Sequence, residues 1–286
     1  MQILRKPPWL KKRIPPFQDL QKIKSILTET DLHTVCEEAR CPNLGECFSQ
    51  GTATILILGR ICTRNCGFCA VIHGDPIPPD EAEPPHVARA VKKMGLRYVV
   101  ITSVTRDDLP DGGASHFAKT IQAIREMDRE IKIEVLVPDF KGNWNSLNGV
   151  LQEGPDVLNH NMETVRRLYD VVRPQANYKR SLSLLRRSKE TYPHIRTKSG
   201  FMLGLGESKE EVLDLFQDLR TAQCDFLTIG QYLQPHTNRL PVVRYIQPEE
   251  FEAYRKIGEE MGFKMVSSGP FVRSSFHASE MFDANR

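Results

Sequence analysis

From residue 53 the chain alternates short β-rich runs with longer amphipathic stretches, and this alternation constrains the fold more than any other feature. It implies βα units arranged around a parallel sheet, an α/β architecture. Strands are expected at 53–59, 97–103, 131–137, 156–161, 200–206 and 225–231, and helices at 114–128, 163–172, 178–191 and 208–222. Val212, Leu215 and Leu219 recur at helical spacing and read as core. Six strands imply a partial barrel over residues 52–262. Residues 1–51 precede it, with a short helix at 19–30 and an aperiodic Cys/Gly/Pro/Asn-rich segment at 36–51, and residues 263–286 follow it. Polar or turn-forming residues follow nearly every strand. Loops at the carboxyl ends of parallel strands build active sites, so chemistry is expected there.

With 286 residues, 40% hydrophobic and 26% charged, the chain can bury a full core. Its formal charge of +3 is far from the basic balance of a nucleic-acid binder, so no nucleic-acid partner is expected. No apolar run approaches bilayer length. The start "MQILRKPPWLKKRIPP" is basic but lacks the serines and the amphipathic period of a transit peptide. A soluble, cytoplasmic, monomeric protein without a membrane partner is expected.

Six of the seven cysteines fall within 34 residues: Cys36, Cys41 and Cys47 as C-x4-C-x5-C, and Cys62, Cys66 and Cys69 as C-x3-C-x2-C in "CTRNCGFC". Cys224 stands apart and reads as a small buried apolar residue. Disulfides fit poorly with an odd count in a chain long enough for its own core. Structural zinc prefers four ligands, usually as CxxC pairs. Iron–sulfur clusters accept irregular local spacings, and a four-iron cluster on three thiolates leaves one iron open for another ligand. A colourless zinc-binding interaction protein is the competing reading; a cluster protein is brown.

"CTRNCGFC" following the first strand carries the C-x3-C-x2-C signature of radical S-adenosylmethionine enzymes, with Phe68 before the last cysteine. Together with "CEEARCPNLGEC", "TSVTRDDLPDGG", "HNMETV", "GLGE" and "GPFVRSSFHA", the chain resembles the lipoyl synthase family over nearly its whole length. The family usually has Tyr where this chain has Phe276, the loss of one hydroxyl. Biotin-synthase-like and methylthio-transferring enzymes are the nearest alternatives, and the N-terminal cysteine triplet paired with "RSSFHA" argues against both.

The resemblance implies a partial (β/α)6, TIM-like barrel of radical SAM type with N- and C-terminal extensions. It implies two 4Fe-4S clusters and S-adenosylmethionine as cofactors. Cys62, Cys66 and Cys69 would hold the cluster that chelates S-adenosylmethionine, whose reductive cleavage yields a 5'-deoxyadenosyl radical. Cys36, Cys41 and Cys47 would hold an auxiliary cluster, completed by Ser275 with Ser274 as the alternative, and consumed as sulfur donor. Arg273 would steady that cluster's charge or gate the serine. The reaction implied is insertion of two sulfur atoms at C6 and C8 of an octanoyl chain on a carrier lysine. Partners would be octanoylated lipoyl-carrier domains or a glycine cleavage H-type protein, a flavodoxin- or ferredoxin-type electron donor and a cluster-repair protein.

Asp107, Asn159, His160, Asn161 and Glu207 sit after strands and are candidate cofactor contacts. Each has a plainer role open to it. Asp107, Asp108 and Asp111 can initiate turns around Gly112 and Gly113, His160 can be a satisfied core histidine, and Glu207 can stabilise a helix start. Lys11, Lys12, Arg13, Arg186 and Arg187 read as solvated faces or as a patch that steers an acidic carrier.

Overall fold

The computed structural model describes residues 5–12 and 17–284. Arg13, among the basic residues noted above, lies outside the described residues. The chain forms two compact units, one of residues 14–65 and 70–159, the other of residues 1–13, 66–69 and 160–286. This division cuts across the 1–51, 52–262 and 263–286 segments expected from the sequence.

The first unit runs α1 (Phe17–Glu29), β1 (His33–Thr34), α2 (Val35–Glu38), α3 (Leu44–Ser49), β2 (Thr54–Ile57), β3 (Ile61–Cys62), β4 (Ile72–His73), α4 (Glu83–Met94), β5 (Tyr98–Ser103), α5 (Ala114–Met127), β6 (Lys132–Leu136), α6 (Trp144–Gln152) and β7 (Val157–Asn159). Strands β2, β5, β6 and β7 pair in parallel in that order, and β1 adds antiparallel to β2. All four residues of β2 are buried, as expected for a parallel strand covered on both faces. Helix α4 starts with prolines in its first turn and ends at Gly95, whose φ of 70° forms the left-handed cap. The segment 36–51, expected to be aperiodic, contains α2 and α3, helices too short to show a periodic stripe.

The second unit contains a 3-10 turn (Pro8–Leu10), α7 (Tyr169–Val172), α8 (Tyr178–Thr191), β8 (Arg196–Leu203), α9 (Lys209–Thr221), β9 (Phe226–Gln231), α10 (Pro248–Glu260), β10 (Met265–Gly269) and α11 (Ala278–Asp283). Strands β8, β9 and β10 pair in parallel. Alternation along β8 and β9 separates two faces. Phe201, Leu203, Leu227 and Ile229 join a core in which the Phe216 ring meets Phe201, Tyr254 and Phe263 edge-on at 6.0, 6.1 and 5.9 Å. The opposite face carries Gly200, Met202, Thr228 and Gly230.

All six expected strands exist, and the fold class is the expected α/β one. Three differences go beyond a shifted strand end. Strand β8 begins four residues early, because Thr197, Lys198 and Ser199 are buried although polar. The helix expected at 163–172 is reduced to a 3-10 turn (Arg166–Leu168) and α7, since Glu163 has a left-handed φ of 67° and bridges Phe201 in parallel. A seventh parallel strand, β10, lies inside the 263–286 extension, and the segment carrying the serines begins only at Pro270.

Candidate functional site

In the first unit, Cys36 sits on α2, whose start is fixed by Thr34 accepting from the Glu37 N–H at 3.3 Å. The chain then folds back: the Cys41 N–H donates to the Cys36 carbonyl at 2.9 Å and the Leu44 N–H to the Cys41 carbonyl at 3.2 Å, placing Cys47 on α3. Cys36 is buried, whereas Cys41 and Cys47 are partly exposed. Burial pushes the Cys36 thiol up to about 12; the neighbouring Cys41 and Cys47 sulfurs add to this, while the Thr54 N–H opposes it.

The loop that leaves β3 is tied down at its first cysteine. The Cys62 sulfur accepts the backbone N–H groups of Arg64 at 3.4 Å and Thr105 at 3.3 Å, an arrangement suited to a thiolate. Thr63 bonds the Thr105 carbonyl through both its N–H (3.0 Å) and its hydroxyl (2.9 Å), and its hydroxyl accepts the Asp107 N–H at 3.0 Å. Arg64 is buried and grips Asp107 with two bonds, 2.7 and 2.9 Å, and buried Asp139 with a third, 2.6 Å. Burial alone would lower the Arg64 pKa, but these two carboxylates hold it above the ordinary value.

In the second unit, the Cys66–Cys69 turn closes with the Cys69 N–H on the Cys66 carbonyl at 3.2 Å. Gly67 joins it to its surroundings, donating to the Val172 carbonyl at 2.9 Å and accepting from the Leu240 N–H at 3.0 Å. A Cβ at Gly67 would come within 2.8 Å of Leu240 and 3.0 Å of the Val171 carbonyl, so only glycine allows this approach.

The strand-end candidates fall into two groups. Asp107 is engaged by Arg64, and Glu207 accepts the N–H groups of Gly204 and Leu205, the latter at 3.0 Å. Helix α9 is started instead by a reciprocal Ser208/Glu211 cap. Asp108 pairs with buried Arg106 at 2.8 Å, and Asp111 accepts the Gly113 and Ser115 N–H groups, the turn role open to it. His160 is buried with its Nε2 2.9 Å from the Ser181 hydroxyl. By contrast, Asn159 Oδ1, Asn161 Oδ1 and Ser103 Oγ are buried at strand ends with no hydrogen-bond partner among the described residues. Such atoms cost about 1–3 kcal/mol each unless a bound polar molecule satisfies them.

The segment after β10 runs over the glycine-bearing face of β8 and β9. A Cβ at Gly230 would lie 2.1 Å from the Val272 carbonyl, and one at Gly200 would lie 3.3 Å from the Ser274 hydroxyl. Gly230 thus makes room for the segment, whereas a Cβ at Gly200 would meet Thr228 Oγ1 first, at 2.3 Å. Asn161 Nδ2 donates to Ser274 Oγ at 2.6 Å and to Glu163 Oε1 at 3.0 Å. Burial raises the Glu163 pKa, against the opposing pull of Arg173, the Asn161 bond and Arg273.

Arg64 and Asp139 were not singled out by sequence reasoning. An arginine inside the cysteine loop and an aspartate in the loop after the third strand were the available signals, but burial of a charge is invisible until the loops are placed.

The donor set fits iron–sulfur clusters: the six clustered cysteines form two local triplets, and none of them is in a disulfide. Among the described residues, no three Cys, His, Asp or Glu side chains converge on one metal ion. A four-iron cluster binds each thiolate through a different iron and does not need that convergence. Residues 56–219 match the Radical SAM superfamily, so the fold and the cysteine loop define a radical SAM enzyme. Methylornithine synthase shares the fold, with a TM-score of 0.55 at 15% identity over 85% of this chain and 74% of its own. Residues 1–41 match the N-terminal domain of lipoyl synthase of the radical SAM family. A lipoyl synthase from Caldanaerobacter subterraneus subsp. tengcongensis is 56% identical over 275 residues, covering 96% of each chain. One from Rubrobacter xylanophilus is 57% identical over 281 residues, covering 98% of this chain and 88% of its own. The chain belongs to the lipoyl synthase family.

Proposed function

We propose that the chain builds the lipoyl group in place, inserting two sulfur atoms at C6 and C8 of an octanoyl chain held in amide linkage to a lysine. The observation that carries this is the pairing of two cysteine triplets with the serine-bearing segment after β10, in a chain 56% identical to a lipoyl synthase along 96% of its length. Cys62, Cys66 and Cys69 hold the first 4Fe-4S cluster. Cys36, Cys41, Cys47 and Ser275 hold the second. When bound, the first cluster and S-adenosylmethionine supply a radical able to take hydrogen from unactivated carbon, and the second supplies sulfur.

The protein's own groups orient and confine. Engagement of Ser274 by Asn161 supports Ser275 as the cluster ligand. Serine is a harder ligand than thiolate, which suits a cluster that must open. Arg273 steadies the charge beside it. The unsatisfied amide oxygens of Asn159 and Asn161 support contacts to S-adenosylmethionine. Asp107 and Glu207, with their carboxylates already engaged, act by shaping the loops around it, and His160 acts from the helix side. The substrate is an octanoylated carrier domain or H-type protein, the electron comes from a flavodoxin- or ferredoxin-type donor, and a repair protein restores the consumed cluster.

The test is an anaerobic single-turnover assay with S-adenosylmethionine, reductant and an octanoyl-lysine peptide, read by mass spectrometry. Gain of two sulfurs with formation of 5'-deoxyadenosine is expected. Ser275→Ala should abolish sulfur gain while sparing 5'-deoxyadenosine formation, and undiminished sulfur insertion in that variant would remove Ser275 from its role.

A further inference from the structure

We infer that Lys12 is a positioning residue for Ser275, acting through the two phenylalanines that bracket the serine segment. The inference rests on the reading of Ser275 as a cluster ligand. The Lys12 ammonium lies 4.9 Å from the centroid of the Phe271 ring and 5.1 Å from that of Phe276, within cation–π range of both. These rings stand at either foot of the arc Val272–Ser275, so one cation ties both feet together. Within the arc, the Phe276 N–H reaches the Arg273 carbonyl at 3.0 Å, and Asn161 holds Ser274. Tying the two ends together removes conformations in which Ser275 points elsewhere.

Lys12 is itself held in place. Leu10, two residues earlier, is buried, and the Pro7–Pro8 pair that leads into the 3-10 turn restricts the backbone before it. The N-terminal segment therefore delivers a cation at a set position, a role that the reading of Lys11 and Lys12 as a solvated face did not include. Phe276, where the family usually has Tyr, keeps the ring face that the contact needs, and the absent hydroxyl takes no part in it.

The experiment uses the full chain, reconstituted anaerobically, with Cys62, Cys66 and Cys69 changed to Ala so that only auxiliary-cluster iron is read. Backbone hydrogen exchange of residues 271–276 and the rate of iron removal by a chelator are measured for Lys12→Met and Lys12→Arg. Lys12→Met should speed both by about 3- to 10-fold, the range of one or two such contacts, while Lys12→Arg stays within about twofold of the parent. Phe271→Leu should reproduce the Lys12→Met result. Unchanged exchange in Lys12→Met overturns the inference and leaves the Ser275 reading standing. Faster exchange with unchanged iron release overturns both, because a loosened segment would then not hold the cluster.

Discussion

Arg64 shows how a single side chain can organise a loop whose function lies in its cysteines. It sits between Cys62 and Cys66, is buried, and is shared by Asp107 and Asp139. Removing the guanidinium would leave buried Asp139 and partly buried Asp107 without their shared charge partner, the costly half of a broken buried pair. Arg64→Met is expected to lose about 3–5 kcal/mol in denaturant unfolding of the cluster-free protein. Arg64→Lys should recover only part of this, since a point charge cannot reproduce the forked contact with Asp107. A loss below about 1 kcal/mol for Arg64→Met would mean the carboxylates find other partners. Cys36 gives a second expectation at this scale. With its thiol pushed up to about 12 by burial, it is almost wholly protonated at neutral pH and should resist iodoacetamide in cluster-free protein, whereas partly exposed Cys41 and Cys47 are modified first. Peptide mapping after timed alkylation reads the order, and early modification of Cys36 would contradict its burial.

Elements were legible where burial and apolarity coincide. Strands β2, β5 and β6 are runs of Ile, Val and Leu, and turn residues bound them. The start of β8 was not, because Thr197 and Ser199 are buried for their hydrogen bonds and carry no apolar signal. The reason lies partly in Asp225, which accepts from the Thr197 N–H at 2.9 Å, from Lys189 of α8 at 2.7 Å and from Lys264, just before β10, at 2.9 Å. One carboxylate thus gathers the entry points of three elements. Burial alone would raise its pKa, but Lys189, the Thr197 N–H and Lys264 hold it below the usual carboxylate range. A depressed folded pKa contributes stability that is present above the unfolded value, about 3.9, and is lost as pH falls through the folded value beneath it. Asp225→Asn should therefore cost about 1–3 kcal/mol at pH 7 and flatten the loss of stability below about pH 4. Thermal unfolding against pH checks this, and an unchanged acid slope would show that Asp225 does not carry it. Strand β10 escaped notice for a related reason: "MVSSG" is half polar, and its pairing with β9 supplies what its side chains do not announce.

At the scale of the whole molecule, the two cysteine triplets could be picked out as candidate cluster ligands because their spacing is written in the covalent chain. The serine segment was legible only through family resemblance, since "RSSF" has no chemistry of its own until Gly230 is seen to make room for the segment. What the arrangement makes of the protein is a reagent as much as a catalyst. If the triplet at Cys36, Cys41 and Cys47 holds the sulfur that is transferred, each chain can complete one product before it must be rebuilt. Two four-iron clusters give about eight irons per chain before turnover, and loss of one leaves about four. Protein reconstituted with isotopically heavy sulfide should place two heavy sulfurs in one octanoyl-lysine, even with light sulfide free in solution. Product should plateau near one per chain while iron falls by half. Light sulfur in the product, or several products per chain without an added sulfur source, would show that the donor lies outside the chain. In that case the triplet would hold the cluster for structure alone, and its hard serine ligand would lose the chemical reason given for it here.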